Sequence, residues 1–204
     1  MITRIAQFFS YLFHPIFLSL IGLYVIFNAG IYISDIPAEY KRFIYTIVFL
    51  CNVLIPLCLI PVLYLLKNIQ HITLNERRER IIPLFITTIS FYLGYYLVSR
   101  VSPIRIIDAF LFSGVIVLLI LLAVSLFWKI SIHMAGWGGL TGLVLVLSFV
   151  YSLDMTFFLI VIILISGIVA SARITLQAHS PIQIITGYFT GLLIVSVFLV
   201  QLII

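Results

Sequence analysis

The sequence predicts an all-α fold, a polytopic transmembrane helical bundle of six to seven helices. Three observations carry that reading. Of 204 residues, 64% are hydrophobic and 8% are charged, where a soluble domain carries about 25% charge. Mean hydropathy is +1.34. The charges divide the chain into seven uncharged runs, 5–34, 43–66, 81–99, 109–128, 130–153, 155–172 and 174–204, each of 18 residues or more. A helix needs roughly 20 apolar residues to cross the hydrocarbon core. Backbone polar groups in lipid must be satisfied within the segment, which favours helices. Period-2 alternation is absent, which argues against a β-barrel.

Helices are therefore expected near 12–34, 43–66, 83–99, 107–128, 134–152, 155–172 and 181–203. The first run is too long for a secretory signal and lacks a small-residue cleavage site, so it reads as a retained helix. The second holds Cys51 and Cys58, which read as small hydrophobes rather than a disulfide or metal pair. The third opens at Pro83, a residue suited to a first turn. The third and sixth runs are short, and partial embedding of one would leave six crossings. The fifth opens at Ser131, an expected N-cap, and carries Gly138 and Gly142 at a spacing that allows close helix packing. The last opens at Ser180 and Pro181 as N-cap and N1. Residues 1–204 read as a single integral membrane domain.

Seven crossings decide which loops share a membrane face. The N-terminal side collects Lys67, His71, the run Glu76-Arg77-Arg78-Glu79-Arg80, Lys129, Ser131, His133, Arg173 and His179. Three polar clusters distant in sequence thus meet at one face. Arginine suits an anion because its planar fork donates parallel hydrogen bonds and stays charged. His133 and His179 fall at helix starts, where free N–H groups and the dipole favour anions. Gln183 lies one turn beyond His179 and can accept from one ring N–H, fixing the other nitrogen as the free one. Read singly, the arginine run is an interfacial anchor and each histidine a structural residue. His14 and His71 are read as structural or interfacial.

Together the clusters resemble the motifs of the type-2 phosphatidic acid phosphatase superfamily, which includes vanadium haloperoxidases. Arg173-x5-His179-x3-Gln183 is similar to that family's Ser-Arg-x5-His-x3-Asp. Ser131-x-His133 matches the serine and histidine of its Pro-Ser-Gly-His. The stretch from Arg77 to Pro83 resembles its Lys-x6-Arg-Pro only in being basic and ending in proline. The resemblance covers residues 76–191. It implies a phosphate-monoester or diphosphate hydrolase without metal or cofactor. His179 would be the nucleophile, forming a phosphohistidine, and His133 would protonate the leaving group and then activate water. Arg173 with Arg80, Arg78 or Arg77 would hold the phosphoryl oxygens, Lys129 would add charge, and Ser131 a hydrogen bond. Departures are Gln183 for Asp, Ala172 for Ser, and Ile130 and Ile132 for Pro and Gly. No counterpart of the first motif's lysine is clear.

The expected substrate is an amphiphile of the phosphatidic acid, phosphatidylglycerol phosphate or polyprenyl diphosphate class. Membrane lipids are the expected partners and nucleic acid is not; assembly into a homo-oligomer is left open. The alternative is a non-catalytic lipid-phosphate binder that retains the fold. A transporter would want ionisable groups inside its helices, which are nearly free of them. A haem protein using histidine pairs ranks lower still. Metal-dependent prenyl transfer would want clustered aspartates, and the three here are well separated. Without the five candidate site cations (Arg77, Arg78, Arg80, Lys129, Arg173), the N-terminal side keeps two Lys or Arg against four opposite. Counted whole, that side holds seven against four, and the positive-inside rule puts it in the cytoplasm. With the site cations set aside the rule reverses, and the family resemblance implies this second orientation, with the site facing away from the cytoplasm. The expected location is a bacterial inner membrane.

Overall fold

The structure, a computed structural model, describes residues 2–30, 36–66 and 78–203. These form helices and no strands. Seven helical segments among them are long and apolar enough to cross a membrane. The chain is thus an all-α polytopic bundle, as the charge-free runs predict. Large apolar side chains such as Phe127, Phe149 and Phe157 face outward, as lipid-solvated surfaces require.

The first crossing departs from the expected single helix over 12–34. It is two half-helices, α1 (Ile2–Leu12) and α2 (Leu18–Phe27), joined through a 3₁₀ turn at Pro15–Phe17. Pro15 has no N–H to continue the α-helical ladder. The backbone N–H of His14 turns to Tyr11 O, and that of Phe17 to His14 O. The carbonyls of Ser10 and Phe13 thereby lose their usual partners four residues on. Residues 31–35, which end the expected helix, lie outside the described residues.

The second crossing comprises α3 (Ala38–Val48), a π-helical segment at Phe49–Leu54, and α4 (Ile55–Leu65). It starts earlier than expected because Glu39, Lys41 and Arg42 are wound into the first turns, where Arg42 pairs with Glu39. The remaining crossings are α5 (Ile81–Val101), α6 (Arg105–Ser125), α7 (Ile132–Tyr151), α8 (Thr156–Thr175) and α9 (Pro181–Ile203). The third and sixth runs, α5 and α8, form helices of 21 and 20 residues.

Helix α7 is the hub. Trp137, Leu140, Leu143 and Leu147 on it are almost fully buried. It lies against α9 backbone to backbone. A Cβ at Gly138 would sit 1.9 Å from Tyr188 O, and one at Gly191 would sit 1.8 Å from Ala135 O. Only glycine permits that approach, so the close packing expected from Gly138 and Gly142 is present and is answered by glycines on α9. This contact brings the starts of α7 and α9 together, and with them two histidines.

Candidate active site

A cavity of about 700 Å³ opens among α1, α2, α5, α6, α7 and the α8–α9 loop. One end is lined by Arg80, Lys129, His133, Arg173 and His179. These residues come from the start of α5, the α6–α7 loop, the start of α7, the end of α8 and the start of α9. The three sequence clusters therefore do meet. Among the described residues, no Asp or Glu lines the cavity. The rest of its wall is largely apolar, including Leu84, Phe110, Val117, Leu121 and Leu140.

His179 is buried and held from two sides. Its Nδ1 lies 3.1 Å from Gln183 Oε1, and its Nε2 lies 3.4 Å from Arg80 Nη1. A guanidinium only donates, so Nε2 is the acceptor, and Nδ1–H donates to Gln183. Gln183 Oε1 also accepts from Ser180 N–H at 3.2 Å, closing the backbone half of a capping box. The orienting role expected of Gln183 fits this geometry. Burial pushes the His179 pKa down to about 3, helped by the positive charges of Arg80, Arg173 and Lys129 and opposed by the Gln183 hydrogen bond. The ring is neutral near pH 7, and its Nε2 lone pair is freed for attack when Arg80 turns to another acceptor. Arg80 is itself pushed down to about 10 by burial and by Arg173, and so keeps its charge. Lys129 is lowered by burial and by Arg80 and Arg173.

His133 reaches the first crossing. Its Nε2 lies 3.3 Å from Ser10 O, one of the carbonyls released at the helix break. Trp137 Nε1 donates to the other, Phe13 O, at 3.2 Å. The neighbouring Ser10 hydroxyl accepts from Arg173 Nη1 at 2.9 Å. Arg173 Nε is buried with no hydrogen-bond partner among the described residues. His14 packs its ring edge-on against His133, with centroids 5.0 Å apart. Its Nδ1 accepts from Ile16 N–H at 3.3 Å, so its proton sits on Nε2. His14 and Ser10 thus belong to the site, although His14 reads as structural in the sequence and Ser10 draws no notice. A usable signal was His14-Pro15 inside a charge-free run longer than one crossing needs.

Ser131 is the N-cap of α7, as predicted, and its hydroxyl accepts from Met134 N–H at 3.4 Å. Its exposure is 0%, and its backbone N–H donates to Gln183 O at 3.3 Å. It is not among the residues that line the cavity. The unsatisfied N–H groups of a helix start claim such a hydroxyl first. Arg77 lies outside the described residues, as does the side chain of Arg78.

Three cationic side chains around one cavity, with no carboxylate among the described residues that line it, can hold an anion. The apolar remainder suits an attached chain, so the arrangement fits an anionic amphiphile. Comparison with protein-family models, with curated proteins and with solved structures finds no match for the chain.

Proposed function

We propose that this chain is a membrane phosphatase that hydrolyses a lipid phosphate or diphosphate through a phosphohistidine, as the type-2 phosphatidic acid phosphatases do. One observation carries the reading. His179 is held neutral, Nδ1 on Gln183 and Nε2 facing Arg80, at the cationic end of a cavity whose other walls are largely apolar.

The phosphoryl group would lie among Arg80, Lys129 and Arg173, with the lipid chain along α6. His179 Nε2 attacks phosphorus, and the bond from phosphorus to the lipid oxygen breaks in line. His133, neutral at rest, takes the proton of the entering phosphate monoanion at Nδ1 and gives it to that oxygen. The Ser10 carbonyl retains Nε2–H, so the Nδ1 proton is the one to transfer. His133, now neutral, takes a proton from water as the water attacks the phosphohistidine. Inorganic phosphate leaves and His179 is restored. Positioning and charge stabilisation supply most of the catalysis in phosphoryl transfer, and the cations provide both.

The test is phosphate release from phosphatidic acid, phosphatidylglycerol phosphate and polyprenyl diphosphate by the purified protein, beside His179→Ala and His133→Ala. Turnover by wild type alone is expected. Equal inertness of all three proteins would sink the reading.

A non-catalytic phosphate binder is the second reading. Gln183 favours it, since a neutral amide orients an imidazole without stabilising its positive charge. That reading expects saturable vanadate binding, abolished in Arg173→Ala, with no turnover. For location, we propose a bacterial inner membrane with the site on the non-cytoplasmic face. Lys41, Arg42, Arg100 and Arg105 lie at the opposite ends of α3, α5 and α6, and the positive-inside rule puts the cytoplasm there once the cations assigned to phosphate are set aside.

A further inference from the structure

Two facing helices each carry a stripe of residues that lines the cavity, and the stripes end on an aromatic floor. On α5 the stripe is Leu84, Thr87 and Phe91. On α6 it is Leu121, Val117, Gly114 and Phe110. Steps of three and four residues keep each stripe on one helix face, so the cavity runs along both helices. Thr87 Oγ1 donates to Pro83 O at 2.7 Å, so these stripes ask no hydrogen bond of a ligand. The cationic end lies at the start of α5, where Arg80 is the N-cap.

Helical rise gives the depth. Phe91 lies about 16 Å along α5 from Arg80. It faces Gly114, where a Cβ would lie 4.0 Å from Phe91 Cδ1. Helix α6 returns antiparallel after the short turn at 102–104, so Phe110, one turn before Gly114, lies about 6 Å deeper still. Phe110 closes that end. Its ring is seated on α2, where a Cβ at Gly22 would collide with Phe110 Cζ. Beneath it Ile106 and Ile107 on α6 and Val98 on α5 are almost fully buried, so the cavity ends on packed core. Asn52 also lines this end, with its amide oxygen turned onto Gly94 of α5.

We propose that the cavity measures the substrate's hydrocarbon chain, taking lipid phosphates whose chain ends at Phe110 and turning away long polyprenyl carriers. This rests on the reading that the phosphoryl group lies among Arg80, Lys129 and Arg173. An extended chain advances about 1.2 Å per bond. The distance of about 22 Å from Arg80 to the floor therefore takes about 18 bonds, the phosphate's own included, and sets a limit of about sixteen carbons. A much longer chain meets the ring of Phe110 and must fold back on itself inside a close-packed wall. Phe110 is thus the specificity-determining residue, and Gly22 gives its ring a fixed seat.

The test is binding of straight-chain alkylphosphonates, from well below that length to well above it, to the full-length protein at a fixed ratio of ligand to detergent. Wild type is expected to hold the series up to about sixteen carbons and to lose about tenfold in affinity within the next few, the size of an overpacking penalty. Phe110→Ala opens the floor to Ile106, one turn further on, and should move the limit up by about four carbons. Gly114→Leu fills the stripe one turn above the floor and should move the limit down by about as much. A wild-type series with no limit overturns the proposal, as does a limit that neither variant moves. Each variant carries the test if the other does not fold. Phosphate release from the matching alkyl phosphates keeps the two readings apart. A length limit without turnover removes the hydrolase and leaves the measured cavity; turnover at every length does the reverse.

Discussion

Arg173 Nη1 donates to the hydroxyl of Ser10 at 2.9 Å, across 163 positions of sequence. The bond ties the end of α8 to the end of α1 and aims the guanidinium at the cavity. Ser10 also accepts from His133 through its carbonyl. One residue of the first half-helix therefore braces the phosphate-holding arginine and the proton-transferring histidine.

Ser10→Ala removes the hydroxyl and keeps the carbonyl. Hydrogen bonds to charged groups contribute about 1.5–3 kcal/mol, so kcat/KM for phosphate release should fall about tenfold or more. Ser10→Thr restores an oxygen and should recover part of the loss. Steady-state kinetics on the pair measures this; an unchanged kcat/KM in Ser10→Ala would show that Arg173 needs no brace.

The pH response follows from His179. Its folded pKa is about 3, below the ordinary 6.5. The unfolded chain therefore binds the extra proton first as pH falls, and stability drops between the two values. Thermal denaturation should show Tm falling as pH is lowered from 6.5, and less so in His179→Asn. A bound anion opposes the repulsion from Arg80, Arg173 and Lys129 and draws a proton onto the ring. Vanadate or phosphate should then raise Tm more at pH 5 than at pH 8. A larger shift at pH 8 would contradict this charge assignment.

Gln183→Asp places a negative charge where a neutral acceptor now contacts Nδ1. A carboxylate raises the pKa of a neighbouring imidazole, so the acid limb attributable to His179 should move up from near 3. The variant should also turn over faster at neutral pH, because the carboxylate stabilises the positive ring that forms as Nε2 bonds to phosphorus. A pH–rate profile of the two proteins reads both effects.

Much of this was legible in residue order, for reasons that differ by element. Scarce charge marks the crossings because lipid tolerates almost none. The spacing from His179 to Gln183 is one helical turn behind a Ser-Pro start, so the contact follows from local geometry. The Gly138–Gly142 spacing likewise announces a close helix neighbour, though not that α9 supplies it. What stayed hidden depends on tertiary meeting. Ser10 and His14 act on partners more than a hundred positions away. Ser131 has a hydroxyl that two roles could claim, and only burial decides for the cap. Asn52 looks like a lone amide in an apolar run until the fold buries its oxygen against Gly94 on α5.

The α7–α9 contact should tolerate no side chain at its centre. Gly191→Val would set new carbon against Ala135 O, where even a Cβ would be 1.8 Å away. Overpacking costs about 1–3 kcal/mol and here meets backbone, which cannot rotate aside. Tm should drop, and activity should fall further than Tm alone explains because His133 and His179 ride on these two helices. Gly167→Ala, where no atom lies within 4 Å of the added carbon, is the control and should leave both unchanged.

Pro15 sets up the last relationship. The 3₁₀ turn at Pro15 diverts the N–H groups of His14 and Phe17 and leaves Ser10 O and Phe13 O to His133 Nε2 and Trp137 Nε1. Pro15→Ala returns an N–H and removes the ring that resists an α-helical turn. A straightened α1–α2 helix would carry its own bonds from His14 N to Ser10 O and from Phe17 N to Phe13 O. His133 would then lose its acceptor, and His14 would swing from its edge-on contact at 5.0 Å. The variant should therefore be as stable as wild type or more so, since alanine strongly favours helix. Its kcat should nevertheless fall about a hundredfold, the low end of what a positioned proton-transferring group contributes. Hydrogen exchange at the amides of His14 to Phe17 should slow at the same time. Faster exchange there with unchanged kcat would mean that the break serves neither histidine.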